Sequence, residues 1–393
     1  LKGWARGTGD IMELMRRFPT IGDLERATRR RLPKFAFDYL AGGAGDETGL
    51  SHNRRALDQI RLVPQYLNLD GSPNLSTDLF GHTYAMPFGI SPVGLGGLIW
   101  PQAAEYLARA AKEANIPFCL SMVATSSIET IAPLAGDCAW FQLYPARDEA
   151  IEDEILTRTK EAGFRVLVVT VDVPVGSRRV RNIRNGLAIP PKMNARNMME
   201  IATHPGWALA TLADGPPKFR TLEQYFPKSA GYKTVGEAIQ SLTEGTIDWS
   251  RIEKYRQNWD GPLIIKGVLD RAEAKRHADM GVDGLIISNH GGRQLDAAVS
   301  PMDVLAGIRE NVGPKMPLIL DSGLRSGTDM VRAFALGANF TFFGRAFMYG
   351  VGALGQRGAK HVIDILQAEL SPALGQLGCA TPQDAPRRLF SAG

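Results

Sequence analysis

No apolar run in this sequence reaches the roughly 18 to 20 residues that a membrane-spanning helix needs, so no helix is expected to cross a bilayer. Cysteine is scarce. Cys119, Cys138 and Cys379 show no metal-ligand spacing, which argues against a disulfide framework and a zinc site, and they read as reduced residues of a cytoplasmic protein. The positive excess is only +4 over the whole chain and no basic stripe is interleaved with aromatics, so nucleic acid is not an expected partner. An anionic substrate, cofactor or lipid surface fits that charge better. Also missing are a Walker loop and a Gly-x-Ser-x-Gly elbow, which removes support from phosphoryl transfer and serine hydrolysis. Gly94-Leu95-Gly96-Gly97 begins like a dinucleotide loop, but Ile99 stands where the last glycine belongs. The start carries no charged-then-apolar secretion pattern, and because the chain opens on Leu1 instead of Met, a preceding segment stays open.

What is present is a long alternation. With 44% hydrophobic residues in 393, the chain can bury a large core. From residue 86 onward, eight short apolar runs alternate with segments of helical period: Met86 to Ser91, Pro117 to Ser121, Ala139 to Leu143, Val166 to Val171, Pro262 to Lys266, Gly284 to Ser288, Pro317 to Asp321 and Phe340 to Phe343. Between them, Pro101 to Ala114 carries Ala103, Leu107, Ala110 and Ala111 on one face, and Ser300-Pro301 supplies an N-cap and a first-turn proline. Eight such units predict an α/β fold, a single-domain (β/α)8 TIM barrel, with an open doubly wound sheet as the competing architecture. About 90 residues separate the fourth and fifth runs, and the insertion from Ile189 to Glu244 reads as a lid or a binding element. Helical stretches at Ile21 to Arg31 and Lys34 to Leu40 are expected to cap the barrel.

Active sites of such barrels lie at the C-terminal ends of the strands, which directs attention to the polar residues there. Ser288-Asn289-His290-Gly291-Gly292-Arg293-Gln294-Leu295-Asp296 follows the sixth run; His290 can take a proton near neutral pH, and Arg293 can hold a carboxylate through paired hydrogen bonds. A lone loop histidine is more often plain surface, but its position here favours the functional reading. Asp172, at the end of the fourth run, can orient His290 or simply cap a turn. Lys266 ends the fifth run, where a buried ammonium needs an anionic partner such as a reduced flavin. Asp321-Ser322-Gly323-Leu324-Arg325 and Phe343-Gly344-Arg345 follow the last two runs, where barrels commonly bind phosphate.

Together with Leu32-Pro33-Lys34 through Asp38-Tyr39, Phe141-Gln142-Leu143-Tyr144, Thr170-Val171-Asp172 and Ile265-Lys266-Gly267, these motifs make the sequence resemble the FMN-dependent 2-hydroxy acid oxidase and dehydrogenase family over residues 20 to 380. The resemblance implies FMN as cofactor and no metal. It implies His290 as the base, paired with Asp172, with Tyr144 on the reacting hydroxyl and Lys266 on the flavin. Tyr39, Arg179 and Arg293 would hold the substrate carboxylate. Ser91, Pro92, Val93, Ser121, Gln142, Thr170 and Ser288 fall to the flavin side, Asp321, Gly323 and Arg325 to the ribityl-phosphate arm, and Gly344 and Arg345 to the phosphate.

Departures within the family shape the expected substrate and acceptor. Oxidase members carry alanine where this chain has Gly94, whereas dehydrogenase members carry glycine, which favours a quinone-type acceptor over oxygen and peroxide formation. Val123 and Gly176 stand where glycolate-oxidising members have tryptophan and leucine, so a roomier pocket for a mandelate- or lactate-like (S)-2-hydroxy acid is implied. The insertion segment His204-Pro205-Gly206-Trp207-Ala208-Leu209 resembles that of membrane-associated members. With Met193, Met198, Met199, Lys192, Arg196 and Lys218 around it, it reads either as a peripheral contact on the inner face of the cytoplasmic membrane or as a lid. A homo-oligomer, tetrameric by resemblance, is also implied. From another class, an FMN-dependent isomerase of a phosphorylated substrate would use the same phosphate loops, but would not need two arginines and a histidine around a carboxylate.

Overall fold

Side chains alternate between the two faces of a strand, so every second residue of a barrel strand meets the others inside. The computed structural model describes residues 12–67, 71–187, 194–225 and 247–390. Two short strands, β1 (Thr77–Leu79) and β2 (His82–Tyr84), form an antiparallel hairpin. They are followed by β3 (Phe88–Ile90), β4 (Phe118–Ser121), β5 (Ala139–Leu143), β6 (Val166–Thr170), β7 (Leu263–Val268), β8 (Gly284–Ile287), β9 (Leu318–Leu320) and β10 (Phe340–Phe343). These eight pair in parallel, and β10 lies between β9 and β3, closing the barrel and excluding the open sheet. All eight expected runs are barrel strands.

Inside, Cys119, Trp140, Val168, Ile264, Ile286, Ile319 and Phe342 form one buried cluster with Leu79 and Tyr84 of the hairpin. Their strand neighbours Leu120, Phe141, Leu167, Ile265, Leu285 and Leu320 belong to a second cluster, between the sheet and its helices. The hairpin, which was not anticipated, closes the N-terminal end: Trp140 Nε1 donates to Tyr84 Oη over 2.9 Å, and the Phe80 ring lies 5.5 Å from that of Trp140. All three cysteines are free and buried.

The N-terminal helices divide their work. Ile21–Arg31 opens with a capping box between Thr20 and Asp23 and lies on the flank of the barrel, where Thr28 Oγ1 donates to the Tyr349 carbonyl over 2.6 Å. Lys34–Ala41 lies at the mouth, its carbonyls facing Arg293 and Arg345. A third helix, Thr48–Gln59, was not expected, because only Ala56 and Leu57 supply it with buried apolar side chains. Between β6 and β7 the described part of the insertion forms helices Ala195–Ala202 and Pro205–Asp214. The start of the insertion, with Lys192 and Met193, and all of it beyond Tyr225 lie outside the described residues.

The loop leaving β5 is clamped from below. Glu152 is fully buried, accepts from the Ala146 N–H (2.8 Å) and Tyr255 Oη (2.9 Å), and pairs with Arg251 (3.0 Å), whose guanidinium also donates to the Ala146 carbonyl (3.0 Å). Removing one partner of such a pair strands the other charge. Glu152→Ala should therefore cost about 3 kcal/mol, read as a lower midpoint in chemical denaturation; an unchanged midpoint would show that the clamp contributes nothing net.

Candidate active site

Continuing the inward alternation one step past the apolar layer yields the floor of the barrel mouth. Two residues beyond Gly89, Cys119, Trp140, Val168, Ile264, Ile286, Ile319 and Phe342 stand Ser91, Ser121, Gln142, Thr170, Lys266, Ser288, Asp321 and Gly344. Strand parity thus turns an apolar interior into a ring of seven polar side chains and one glycine. These eight are residues for which the resemblance implies cofactor contacts. Lys266 is only 4% exposed, and its ammonium lies 3.0 Å from Asp321 Oδ2 and 3.0 Å from Ser288 Oγ. Burial opposes its charge, but Asp321 and Asp172 outweigh that and hold its pKa above the ordinary lysine value. A reduced flavin is the anionic partner expected from the sequence; the resident carboxylate of Asp321 already fills that role.

His290 and Asp172 meet. His290 Nδ1 lies 2.8 Å from Asp172 Oδ1, so the Nδ1 proton faces the carboxylate and Nε2 is left as the proton-accepting nitrogen. Burial pushes the imidazole below its ordinary value, Asp172 pulls it up, and Lys266 and Arg179 push it down again; the result is a lowered pKa. Burial alone would raise Asp172, but His290 and Lys266 hold it below the usual carboxylate range. Tyr144 stands with its ring 6.5 Å from that of His290; burial and Asp172 push its phenol up to about 12, which keeps it a hydrogen-bond donor.

A β-bulge seats Asp172. The β7–β8 register shifts between Lys266 and Val268, leaving Gly267 as the extra residue at φ 105°. A Cβ on Gly267 would lie 2.5 Å from Asp172 Cβ and 2.9 Å from its Oδ2.

Four guanidiniums, those of Arg179, Arg293, Arg325 and Arg345, line the same cavity, with Tyr39, Val123, Tyr144, His290 and Lys266. Among the described residues, no carboxylate pairs with Arg179, Arg293 or Arg345. Arg179 Nε is held by Ser177 Oγ (3.2 Å) and the Arg293 carbonyl (3.3 Å). Arg293 donates to the carbonyls of Tyr39 (2.8 Å) and Gly42 (3.1 Å) and lies 5.0 Å over the Tyr39 ring. Burial, reinforced by Arg179, drives its pKa well down, a penalty that only an incoming anion relieves. Arg345 donates through three nitrogens to the carbonyls of Leu40, Gly291 and Gly42, and burial lowers it to about 10. Tyr39 Oη donates to the Gly94 carbonyl over 3.2 Å.

Several buried polar atoms have no partner in the protein. Gln142 Nε2 is left over once its Oε1 accepts from Ser121 (2.8 Å), and Thr170 Oγ1 is also unpaired. Orphaned donors beside a buried lysine fit the polar edge of a flat, hydrogen-bonding cofactor such as a flavin. Pro92, Val93, Gly323, Arg325 and Gly344 line the same cavity, extending it toward the last two strand ends.

Two placements differ from expectation. Gly176 is exposed and does not line the cavity; Val173, three residues earlier, does. Trp207 is 4% exposed, its indole N–H donating to the Leu98 carbonyl over 3.1 Å, so it is an anchor and not an interfacial residue. Val173, Gly267, Gln294 and Ser322, whose Oγ accepts from Gly291 N–H (2.9 Å), were not singled out, since only tertiary contacts give them a role.

The family described as FMN-dependent dehydrogenase matches residues 28–392. L-lactate dehydrogenase of Pseudomonas syringae pv. syringae is 38% identical over 357 residues, 91% of this chain and 94% of that protein. (S)-mandelate dehydrogenase of Pseudomonas putida is 37% identical over 360 residues, 91% of this chain and 90% of its own. Among solved structures, a monotopic membrane protein, (S)-mandelate dehydrogenase, superposes with a TM-score of 0.89 at 36% identity, covering 94% of this chain and 98% of that one. A mandelate oxidase reaches 0.81 at 33% identity, with 94% and 98% covered.

Gly267→Ala tests the bulge. The added methyl should push Asp172 out of its contact with His290 and lower turnover about 100-fold, the scale of a 1 Å misplacement, with FMN content retained. A variant with wild-type turnover would show that the bulge does not seat the pair.

Proposed function

The chain belongs to the FMN-dependent dehydrogenase family, and from that premise we propose that it oxidises the hydroxyl-bearing carbon of a mandelate- or lactate-like (S)-2-hydroxy acid to the 2-oxo acid. One observation carries the substrate class: Arg179 and Arg293 line the cavity of the His290–Asp172 pair without a carboxylate of their own. A substrate carboxylate supplies the missing charge, and Tyr39 stacks on the Arg293 that receives it. That grip turns the hydroxyl toward Tyr144 and His290. The hydroxyl proton passes to His290 Nε2, and the imidazolium that forms is stabilised by Asp172. Bound FMN supplies the two-electron acceptor for the hydrogen leaving carbon.

Ser121, Gln142, Thr170, Lys266 and Ser288 are assigned to the flavin ring, with Ser91, Pro92 and Val93 beside it, and Asp321, Gly323 and Arg325 to the ribityl arm. At the phosphate, Arg345 is committed to three backbone carbonyls, so the reading gives the anion the first N–H groups of helix Arg345–Leu354, after Gly344, together with Arg325. Val123 and Val173 bound the side-chain space and favour an apolar substituent.

For the acceptor, Gly94 supports a quinone over oxygen by its resemblance to dehydrogenase members; a Cβ there would lie 2.7 Å from Val123 Cγ2, so this pocket is built around the glycine. Among the described residues no helix is long and apolar enough to cross a membrane. Peripheral attachment at the inner face of the cytoplasmic membrane is proposed through helices Ala195–Ala202 and Pro205–Asp214, which expose Met198, Met199, Leu209 and Leu212, the last at 80%. A homo-oligomer, a tetramer by family resemblance, belongs to the same reading; exposed Tyr66 and Leu67 offer it apolar surface.

An anaerobic visible spectrum titrated with (S)-mandelate and L-lactate tests the reaction. One acid should bleach the flavin band, with slow return in air; fast return with peroxide would make the protein an oxidase, and no bleaching by either acid would remove the proposed substrates. His290→Ala should keep FMN and slow bleaching about 1,000-fold. Because the imidazole is lowered, kcat/KM should rise through a pKa below 6.5 and then stay level as pH increases. For the membrane contact, the protein should float with anionic vesicles, and Leu209→Glu with Leu212→Glu should leave it in the soluble fraction; flotation unchanged by both would place the contact elsewhere.

A further inference from the structure

Gln294 sits between the two halves of the proposed chemistry. Its Nε2 donates to the Asp172 carbonyl over 3.2 Å, and its Oε1 accepts from Arg179 Nη2 over 3.3 Å. The amide can be placed in only one way, since a guanidinium has no acceptor and a backbone carbonyl has no donor. Arg179 Nε also reaches the Arg293 carbonyl, so two successive residues of one loop hold this arginine before any ligand arrives. That loop carries His290 at φ 57° and is fixed at several points. Asn289 and Asn53 exchange two buried amide hydrogen bonds of 2.7 and 2.9 Å, Ala44 N–H donates to the Gly292 carbonyl (2.9 Å), and Asp296 accepts from Gly49 N–H (2.9 Å). A rigid loop is what allows a side chain to transmit position.

We propose that Gln294 is a positioning residue that couples the arginine of the substrate carboxylate to the His290–Asp172 pair. It pins Arg179 in the orientation that meets a carboxylate and, through the same amide, fixes the backbone from which Asp172 reaches His290. Carboxylate binding and the placement of the base are then one cooperative event. The inference rests on the roles given above to Arg179 and His290.

A double-mutant cycle on the FMN-loaded protein separates this from plain packing. Gln294→Met keeps the length and loses both bonds, so kcat/KM should fall about 30-fold in the wild-type background, on the scale of two lost hydrogen bonds. In an Arg179→Met background the same substitution should cost only about fivefold, because the bond to the Asp172 carbonyl is all that is left to lose. Equal costs in the two backgrounds, at unchanged FMN content, would overturn the proposal. If Gln294→Met fails to retain FMN, Gln294→Glu decides: its carboxylate should occupy Arg179 and weaken binding of the 2-oxo acid product, read from flavin absorbance, at least tenfold, whereas unchanged product binding would overturn the proposal. Failure of the wild-type flavin to be reduced by any hydroxy acid would instead sink the parent reading.

Discussion

Buried positive charge with too few carboxylates is the constraint on which this site depends. Lys266 is answered by Asp321 and His290 by Asp172, yet Arg179, Arg293 and Arg345 in the same cavity have only backbone carbonyls and neutral side chains. A charge taken from water without a partner costs several kcal/mol, so such a cavity favours an anion over any neutral ligand of the same shape. The arrangement also divides the work. Lys266, on β7, faces the polar floor, where the orphaned atoms of Gln142 and Thr170 lie; Arg179 and Arg293 stand on the loops above it, with His290. Two anionic ligands can therefore be held against one base without competing for the same cation.

Holding cations together without counter-ions requires a stiff frame, and the frame is the N-terminal segment. Helix Lys34–Ala41 presents the carbonyls of Tyr39 and Leu40, followed by that of Gly42, to the guanidiniums of Arg293 and Arg345. Partial negative charge from peptide dipoles thus replaces carboxylates that would have competed with a ligand. The close approach explains Gly291: a Cβ there would lie 2.6 Å from Arg345 Nη1. The His290 loop, Arg345 and the N-terminal helix form one interlocked unit.

The barrel was legible because parallel strands buried on both faces read as continuous β-branched and aromatic runs, as in Val166 to Val169. Strand ends were less so; β7 runs on to Val268 because a bulge at Gly267, which has no periodic signature, prolongs it. Three-residue strands such as Thr77–Leu79 are too short to show a period, and Thr48–Gln59 is too polar to show a helical stripe. In the site, chemistry-bearing residues at strand ends could be named from sequence, since position and residue type together point to the mouth. Gln294 and Asn53 could not, for their value lies in partners more than 100 residues away. Gly176, named by resemblance alone, is exposed, because the course of the loop beyond β6 is not fixed by a family correspondence, and Val173 lines the cavity instead.

One of the contacts that join the described part of the insertion to the barrel lies beside this frame. Trp207 donates to the Leu98 carbonyl and meets Phe35 edge-on at 5.6 Å. Leu98 lies four residues beyond Gly94, and Phe35 lies in the first turn of the helix that carries Tyr39, so one indole touches both segments of the cavity wall that Tyr39 closes on Gly94. The same helix, Pro205–Asp214, exposes Leu209 and Leu212. An anchored residue and exposed leucines on one short helix fit an element that rests on the barrel while offering apolar surface outward. Because its anchor lies beside the mouth, the proposed lipid contact through those leucines would fall on the side from which the proposed quinone would reach the cofactor. The two proposals, membrane contact and quinone acceptor, would then follow from a single placement.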